Sequence, residues 1–232
     1  MQIDKALIAM VLLSCAGIGP VQAQIATSTF DTDRDGWLIA DLSVDDTHVV
    51  KNNFVPVFVS PGGNPGGFIS MLDPTGTAVW YWKAPPKFLG NVSSAYGKNL
   101  SFDNKDSITG VFNEHDDVVL IGGGITLALR FINASDQWTH HDVLLTEAGA
   151  WKKGNGSGPL ATAGDVHAVL AALDALYIRG DLFEGADTGG LDNVVLGGVP
   201  TSPCWADVDH SGAVNMIDVV KVLRVVAGLD PC

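Results

Sequence analysis

The sequence predicts a mainly β chain, an antiparallel two-sheet body followed by a small C-terminal loop-helix unit. Three observations carry this. Short runs of strand-forming residues recur from Trp37 to Arg179, separated by Gly, Pro, Asn and Asp clusters at the spacing of a sandwich. One segment of that body repeats with a helical period. From Cys204 onward the pattern changes to regularly spaced oxygen-bearing side chains that run into an apolar helix.

In chain order, Met1-Gln2-Ile3-Asp4-Lys5 precedes the apolar stretch Ala6 to Leu13, and Val21-Gln22-Ala23 offers the small-residue site that a signal peptidase needs. This predicts a signal peptide over residues 1–23 and a mature chain from Gln24. The alternative is a lipobox, Leu12-Leu13-Ser14-Cys15, with Cys15 carrying a lipid. No other run approaches the roughly 20 apolar residues of a membrane span. The expected location is outside the cytoplasm, secreted or at the cell surface.

The body, residues 24–197, offers the strand runs Trp37-Leu38-Ile39, Phe54 to Val59, Phe68 to Met71, Ala78 to Trp82, Leu100 to Phe102, Val118 to Ile121, Thr126 to Phe131, Asp142 to Leu145 and Ala175 to Arg179. A period of two puts Trp80 and Trp82 on one face and Tyr81 on the other, so at most one of these groups is free to stack on a sugar. Val166, Leu170, Leu173 and Leu176 fall at helical spacing after Asp165, which is placed to cap the helix. The body has no cysteine and must stand on its hydrophobic core. A formal net charge of -13 argues against a nucleic acid or an anionic membrane as partner.

Residues 198–203 read as a linker, and residues 204–232 as a separate unit. In Asp207-x-Asp209-x-Ser211-Gly212-x-Val214-Asn215-x-x-Asp218, oxygen donors occupy positions 1, 3, 5, 9 and 12 of a twelve-residue loop, with glycine at 6 for the sharp turn. That is the ligand set of a calcium loop, with Asp207, Asp209, Ser211, the Ala213 carbonyl, Asn215 and Asp218 around the ion. Asn215 also caps the helix that follows, and Gly228 and Pro231 end it. Once the leader is removed, Cys204 and Cys232 are the remaining cysteines, and a disulfide between them would staple the ends of a unit too small to hold itself.

No helix precedes this loop, and position 12 is Asp rather than Glu. In these features residues 205–228 resemble one type I dockerin repeat, half of the module that anchors secreted bacterial glycan-degrading enzymes to cohesin domains. Dockerins normally pair two repeats, and the second is missing here, which puts a cohesin-like partner in doubt.

A second resemblance covers the body. Trp80 to Asn91, Tyr96 to Phe102, the opening Ser28-Thr29-Phe30-Asp31 with Gly36-Trp37, the Pro65-Gly66-Gly67-Phe68 turn and the closing Gly189-Gly190-Leu191-Asp192-Asn193-Val194 resemble the laminin IV type A domain, also called laminin B. The resemblance implies a jelly-roll-like sandwich akin to carbohydrate-binding modules, without catalytic apparatus. It also implies a structural calcium where first and last strands meet, with Asp31 and Asp192 as candidate ligands.

Other chemistry is set aside on the residues. His140-His141-Asp142 and His115-Asp116-Asp117 place neighbours on opposite strand faces, which suits no transition-metal site. Gly122-Gly123-Gly124 lies between strand runs and reads as a turn rather than a phosphate cradle. Glu114, Glu147 and Glu184 are scattered across loops and read as solvated carboxylates rather than a glycosidase pair. The expectation is a secreted, non-enzymatic binding or adhesion protein with a calcium-dependent tail for attachment, its partner a glycan or a cell-surface protein. The alternative is an accessory or catalytic component of polysaccharide degradation.

Overall fold

The computed structural model describes residues 24–75, 78–107, 114–131 and 135–198. Residues 1–23, expected to be a signal peptide, and residues 199–232, with the expected calcium ligands Asp207, Asp209, Ser211, Ala213, Asn215 and Asp218 and the cysteines Cys204 and Cys232, lie outside the described residues.

The strands are β1 (Ala26–Ser28), β2 (Leu38–Leu42), β3 (Val50–Phe54), β4 (Val57–Gly63), β5 (Gly66–Leu72), β6 (Val79–Lys83), β7 (Asn99–Lys105), β8 (Val118–Gly122), β9 (Ile125–Leu129), β10 (Thr139–Leu144), β11 (Lys152–Lys153), β12 (Leu173–Arg179) and β13 (Thr188–Gly198), with one α-helix, α1 (Ala163–Ala171), before β12. They form two antiparallel sheets of a jelly-roll-like sandwich. Sheet one runs β10-β7-β13-β5-β4, with β1 beside the far half of β13; sheet two runs β11-β9-β8-β12-β6-β2-β3.

Alternation along β6 sets the core. Trp80 and Trp82 point between the sheets and meet edge to face with centroids 5.1 Å apart, while Tyr81 points out the other side of sheet two. Trp37, Phe88, Leu100, Phe102, Leu120, Trp151 and Leu191 fill the rest of the interior. Each such side chain contributes roughly 1.5–3 kcal/mol through apolar burial. Glycine is required where Trp80 presses on the backbone: a Cβ at Gly180 would sit 1.9 Å from its ring, and one at Gly189 2.6 Å.

Two details of the sequence reading change. The run Phe54 to Val59 is not one strand, because Pro56, which has no N–H to give a ladder, separates β3 in sheet two from β4 in sheet one. The helix begins one turn earlier than Asp165: Thr162 is the cap, its hydroxyl accepting the Asp165 N–H at 3.2 Å, and Asp165 answers by accepting the Thr162 N–H at 2.9 Å. Val166 and Leu170 lie on its buried face with Val169, whereas Leu173 and Leu176 belong to β12.

Candidate ligand-binding face

The outer face of sheet two is closed. Ala40, Leu42, Val79, Tyr81, Val119, Ala128 and Tyr177 form a second buried cluster there. The β2–β3 loop is tied across this side by an ion-pair network centred on Arg130, whose Nε donates to Asp116 at 2.7 Å and whose Nη2 donates to Asp46 at 2.6 Å. Nε2 of buried His48 lies 3.0 Å from Asp116, Nδ1 of His115 lies 3.0 Å from Asp46, and the Gly156 N–H donates to Asp116 at 2.8 Å. Burial alone would raise the Asp116 pKa, but the hydrogen bonds from His48, Arg130 and Gly156 outweigh it and hold the carboxyl below its ordinary value.

Asp46, His48 and Asp116 bring ligand atoms within 4.8 Å of one another, the spacing of a metal site. The guanidinium of Arg130 already neutralises both carboxylates, so the cluster is a loop clasp. The sequence argument about opposite faces does not apply to residues 115–117, which precede β8 and lie outside any strand; His115 and Asp116 converge, and Asp117 turns to buried Arg179 at 2.9 Å. It does hold on β10, where His140 points outward to Asp103 and His141 goes to Asn104. Burial and neighbouring His140 lower the His141 pKa to about 4, against a small opposing pull from Asp103, so it is neutral near pH 7.

The outer face of sheet one is different in kind. Cross-strand pairing lines up Asp192 with Asp103 and Asp103 with His140, and sets Gly190 beside both Ser70 and Lys105. Like charges directly opposite are unfavourable. Here they are surrounded by donors: Asp192 accepts the N–H groups of Asn64 at 2.6 Å and Asn193 at 2.7 Å, and Asp103 accepts from His140 Nδ1 at 2.6 Å, Asn193 Nδ2 at 2.8 Å and Asn64 Nδ2 at 3.2 Å. Burial, with the charges of Asp103 and Asp31 adding to it, still pushes the Asp192 carboxyl up to about 6, against those two backbone donors.

Beside this row stands Trp138, half-buried, its Nε1 donating to the Gly62 carbonyl at 3.1 Å. Its ring meets Phe68 edge to face at 5.3 Å and lies within reach of a Cβ placed on Gly190, so the missing side chain of Gly190 is what lets the indole rest on the sheet. Lys105 Nζ sits 4.4 Å from the centroids of both Phe68 and Trp138. Trp37, Trp80, Trp82 and Trp151 are at most 1% exposed; among the described tryptophans Trp138 alone meets solvent.

The site residues expected from sequence divide accordingly. The Trp80-Tyr81-Trp82 set offers no sugar platform, because all three rings are core. Asp31 is exposed and accepts from Thr29 at 2.7 Å; it lies near enough to buried Asp192 to raise that group's pKa, while Asp192 commits both oxygens to backbone N–H groups. Glu114, Glu147 and Glu184 are all exposed, and Glu147 accepts from Tyr96 Oη at 2.6 Å. Trp138 was missed; the signal available was a lone large aromatic inside the polar run Ser135-Asp136-Gln137-Trp138-Thr139-His140.

The fold defines an antiparallel β-sandwich module with one apolar, clasped outer side and one polar, aromatic outer side, of which Lys105, Trp138 and His140 meet solvent. The Laminin B (Domain IV) family model matches residues 81–202, and the chain belongs to that family. It is 29% identical over 177 residues to laminin subunit gamma-1 of Danio rerio, a match over 73% of this chain and 10% of that protein. It is 28% identical over 190 residues to human laminin subunit gamma-2, over 79% of this chain and 14% of that protein. The chain thus corresponds to a small part of these relatives. Among solved structures, the L4b domain of human laminin alpha-2 superposes with a TM-score of 0.60 at 16% identity, covering 74% of this chain and 96% of that one. No helix among the described residues is long and apolar enough to cross a membrane.

Proposed function

We propose that the protein is a secreted, non-enzymatic binding module that takes a carbohydrate chain across the outer face of sheet one, with the segment after residue 203 serving as a calcium-dependent attachment unit. The observation that carries the reading is Trp138: an indole anchored at one edge to Gly62 and resting on Gly190, half-open to solvent beside Lys105, His140 and the Asn64–Asn193 amides. An apolar ring ringed by convergent polar groups is what a sugar, with one apolar face and many hydroxyls, requires. Calcium would neutralise Asp207, Asp209 and Asp218 and so order the tail.

A glycan array probed with the full chain tests this. Trp138→Ala is expected to weaken the bound glycan at least about tenfold, as anchoring tryptophans do, with little change in the melting temperature. Binding unchanged by that substitution would refute the placement. Release of reducing ends from the bound glycan would refute the non-enzymatic reading and favour a degradative component instead.

A further inference from the structure

One end of the open face of sheet one carries a cation that no carboxylate answers. Lys105, the last residue of β7, stands directly opposite Gly190 of β13, while Trp138 flanks it on the other side, one residue before the Thr139–Asn104 pair. A Cβ at Gly190 would meet Lys105 Cγ, Lys105 Cε and Trp138 Cη2 all at 3.2 Å. The lysine stem and the indole are therefore bedded on the same glycine. The stem ends against the rings of Phe68 and Trp138, where Nζ donates to the Gly62 carbonyl at a long 3.4 Å, and that carbonyl already accepts from Trp138 Nε1.

Among the described residues Lys105 forms no ion pair. Burial lowers its pKa from the ordinary 10.5, against the pull of Asp192, so the ammonium is short of solvation. The two ring faces compensate in part. Asp192 and Asp103 are at most 4% exposed and commit their oxygens to Asn64, Asn193 and His140, so they lie beneath this face rather than on it. Exposed Asp31 and Asp136 make no ion pair with Lys105 either, and Asp142, opposite Ser101, is four residues away along β7, about 13 Å at the rise of a strand.

A half-buried ammonium with one long hydrogen bond has donors to spare, and an anion is what satisfies them best. We propose that the carbohydrate taken on this face is an acidic one, a chain bearing uronic acids, whose carboxylate pairs with Lys105 while its ring rests against Trp138. This rests on the reading of the face as a glycan site. A uronic carboxylate is carried on the pyranose ring itself, so a sugar resting on the indole brings it within reach of an ammonium held against that same indole. The flexible lysine stem lets the charge follow the sugar. Lys105 thereby sets the class of glycan, and Trp138 supplies the platform common to all of them.

The test titrates the full chain, in chelator so that calcium bridges nothing, with oligogalacturonate, oligoglucuronate and oligomannuronate, each against the same oligosaccharide with its carboxyl groups reduced to alcohols. At least one acidic form is expected to bind about tenfold more tightly than its reduced counterpart, the size of one hydrogen bond to a charged group. That preference is expected to shrink as sodium chloride is raised from about 0.05 to about 0.5 M, and to fall to no more than about twofold in Lys105→Met, which keeps the apolar stem. Acidic and reduced forms bound alike, a preference indifferent to salt, or one that survives Lys105→Met would overturn the proposal. Where such binding is still lost in Trp138→Ala, the glycan site stands and only its acidic class is wrong; no binding of either form, or binding indifferent to Trp138→Ala, overturns the site itself and this inference with it.

Discussion

Asp192 is expected to make the sandwich more stable in mild acid, by an amount large enough to measure. Burial, beside Asp103 and Asp31, disfavours the charged form and pushes its folded pKa up from the ordinary 3.8 to about 6. A carboxyl raised on folding binds its proton more tightly in the native state, so protonation favours folding. The contribution is full below the unfolded pKa and is lost as pH rises through about 6. A shift of this size corresponds to about 3 kcal/mol at 1.36 kcal/mol per unit, most of which is expected between pH 7 and pH 4. Other carboxyls run the opposite way, among them Asp116, held low by its donors, so the quantity to measure is a difference. Urea unfolding of the parent and of Asp192→Asn from pH 4 to pH 8 isolates it. The parent is expected to gain about 2–3 kcal/mol on the variant as pH falls from 7 to 4. A difference that stays flat across that range would show that Asp192 ionises normally and that the Asp192–Asp103 row is not under electrostatic load.

Two further outcomes follow from the packing and the clasp. Gly180→Ala puts a methyl group 1.9 Å from a Trp80 ring carbon, and is expected to lower stability by about 1–3 kcal/mol in urea, or more where the indole cannot turn aside. Arg130→Ala leaves buried Asp116 and Asp46 facing one another; it is expected to cost about 2 kcal/mol, discounted because Arg130 is partly exposed, and to speed proteolysis within residues 43–49 while leaving glycan binding on the other sheet unchanged.

How much of this was legible in the sequence depended on how local the cause is. Strand alternation is local, so the placement of Trp80 and Trp82 opposite Tyr81 could be read from three residues. What alternation does not say is whether a face is covered, and both faces of β6 are: one by sheet one, the other by the loop that Arg130 clasps. That clasp joins Asp46, Asp116 and Arg130, residues far apart in the chain, and no spacing rule reveals it.

The longest strand, β13, was legible only through family resemblance, because Gly189 and Gly190 depress strand propensity. They are there for neighbours on other strands: Gly189 yields to Trp80 from the inside and Gly190 to Trp138 from the outside. The capping of α1 was displaced by one turn because Asp165 suits either the cap or the third helical position, and only the Thr162 hydroxyl, answering it, decides. The spaced oxygen donors of the tail are a local pattern, read from the sequence alone as an expected calcium loop, and lie outside the described residues.

The central claim is that ligand is taken on sheet one and not on sheet two. Hydrogen exchange of backbone amides, with and without the glycan selected on the array, tests it most directly. The account predicts added protection in β7, β10, β13 and the Asn64 turn, with β8, β9 and β12 unaltered. Protection gathered instead on β8, β9 and the loop over residues 43–49 would contradict it.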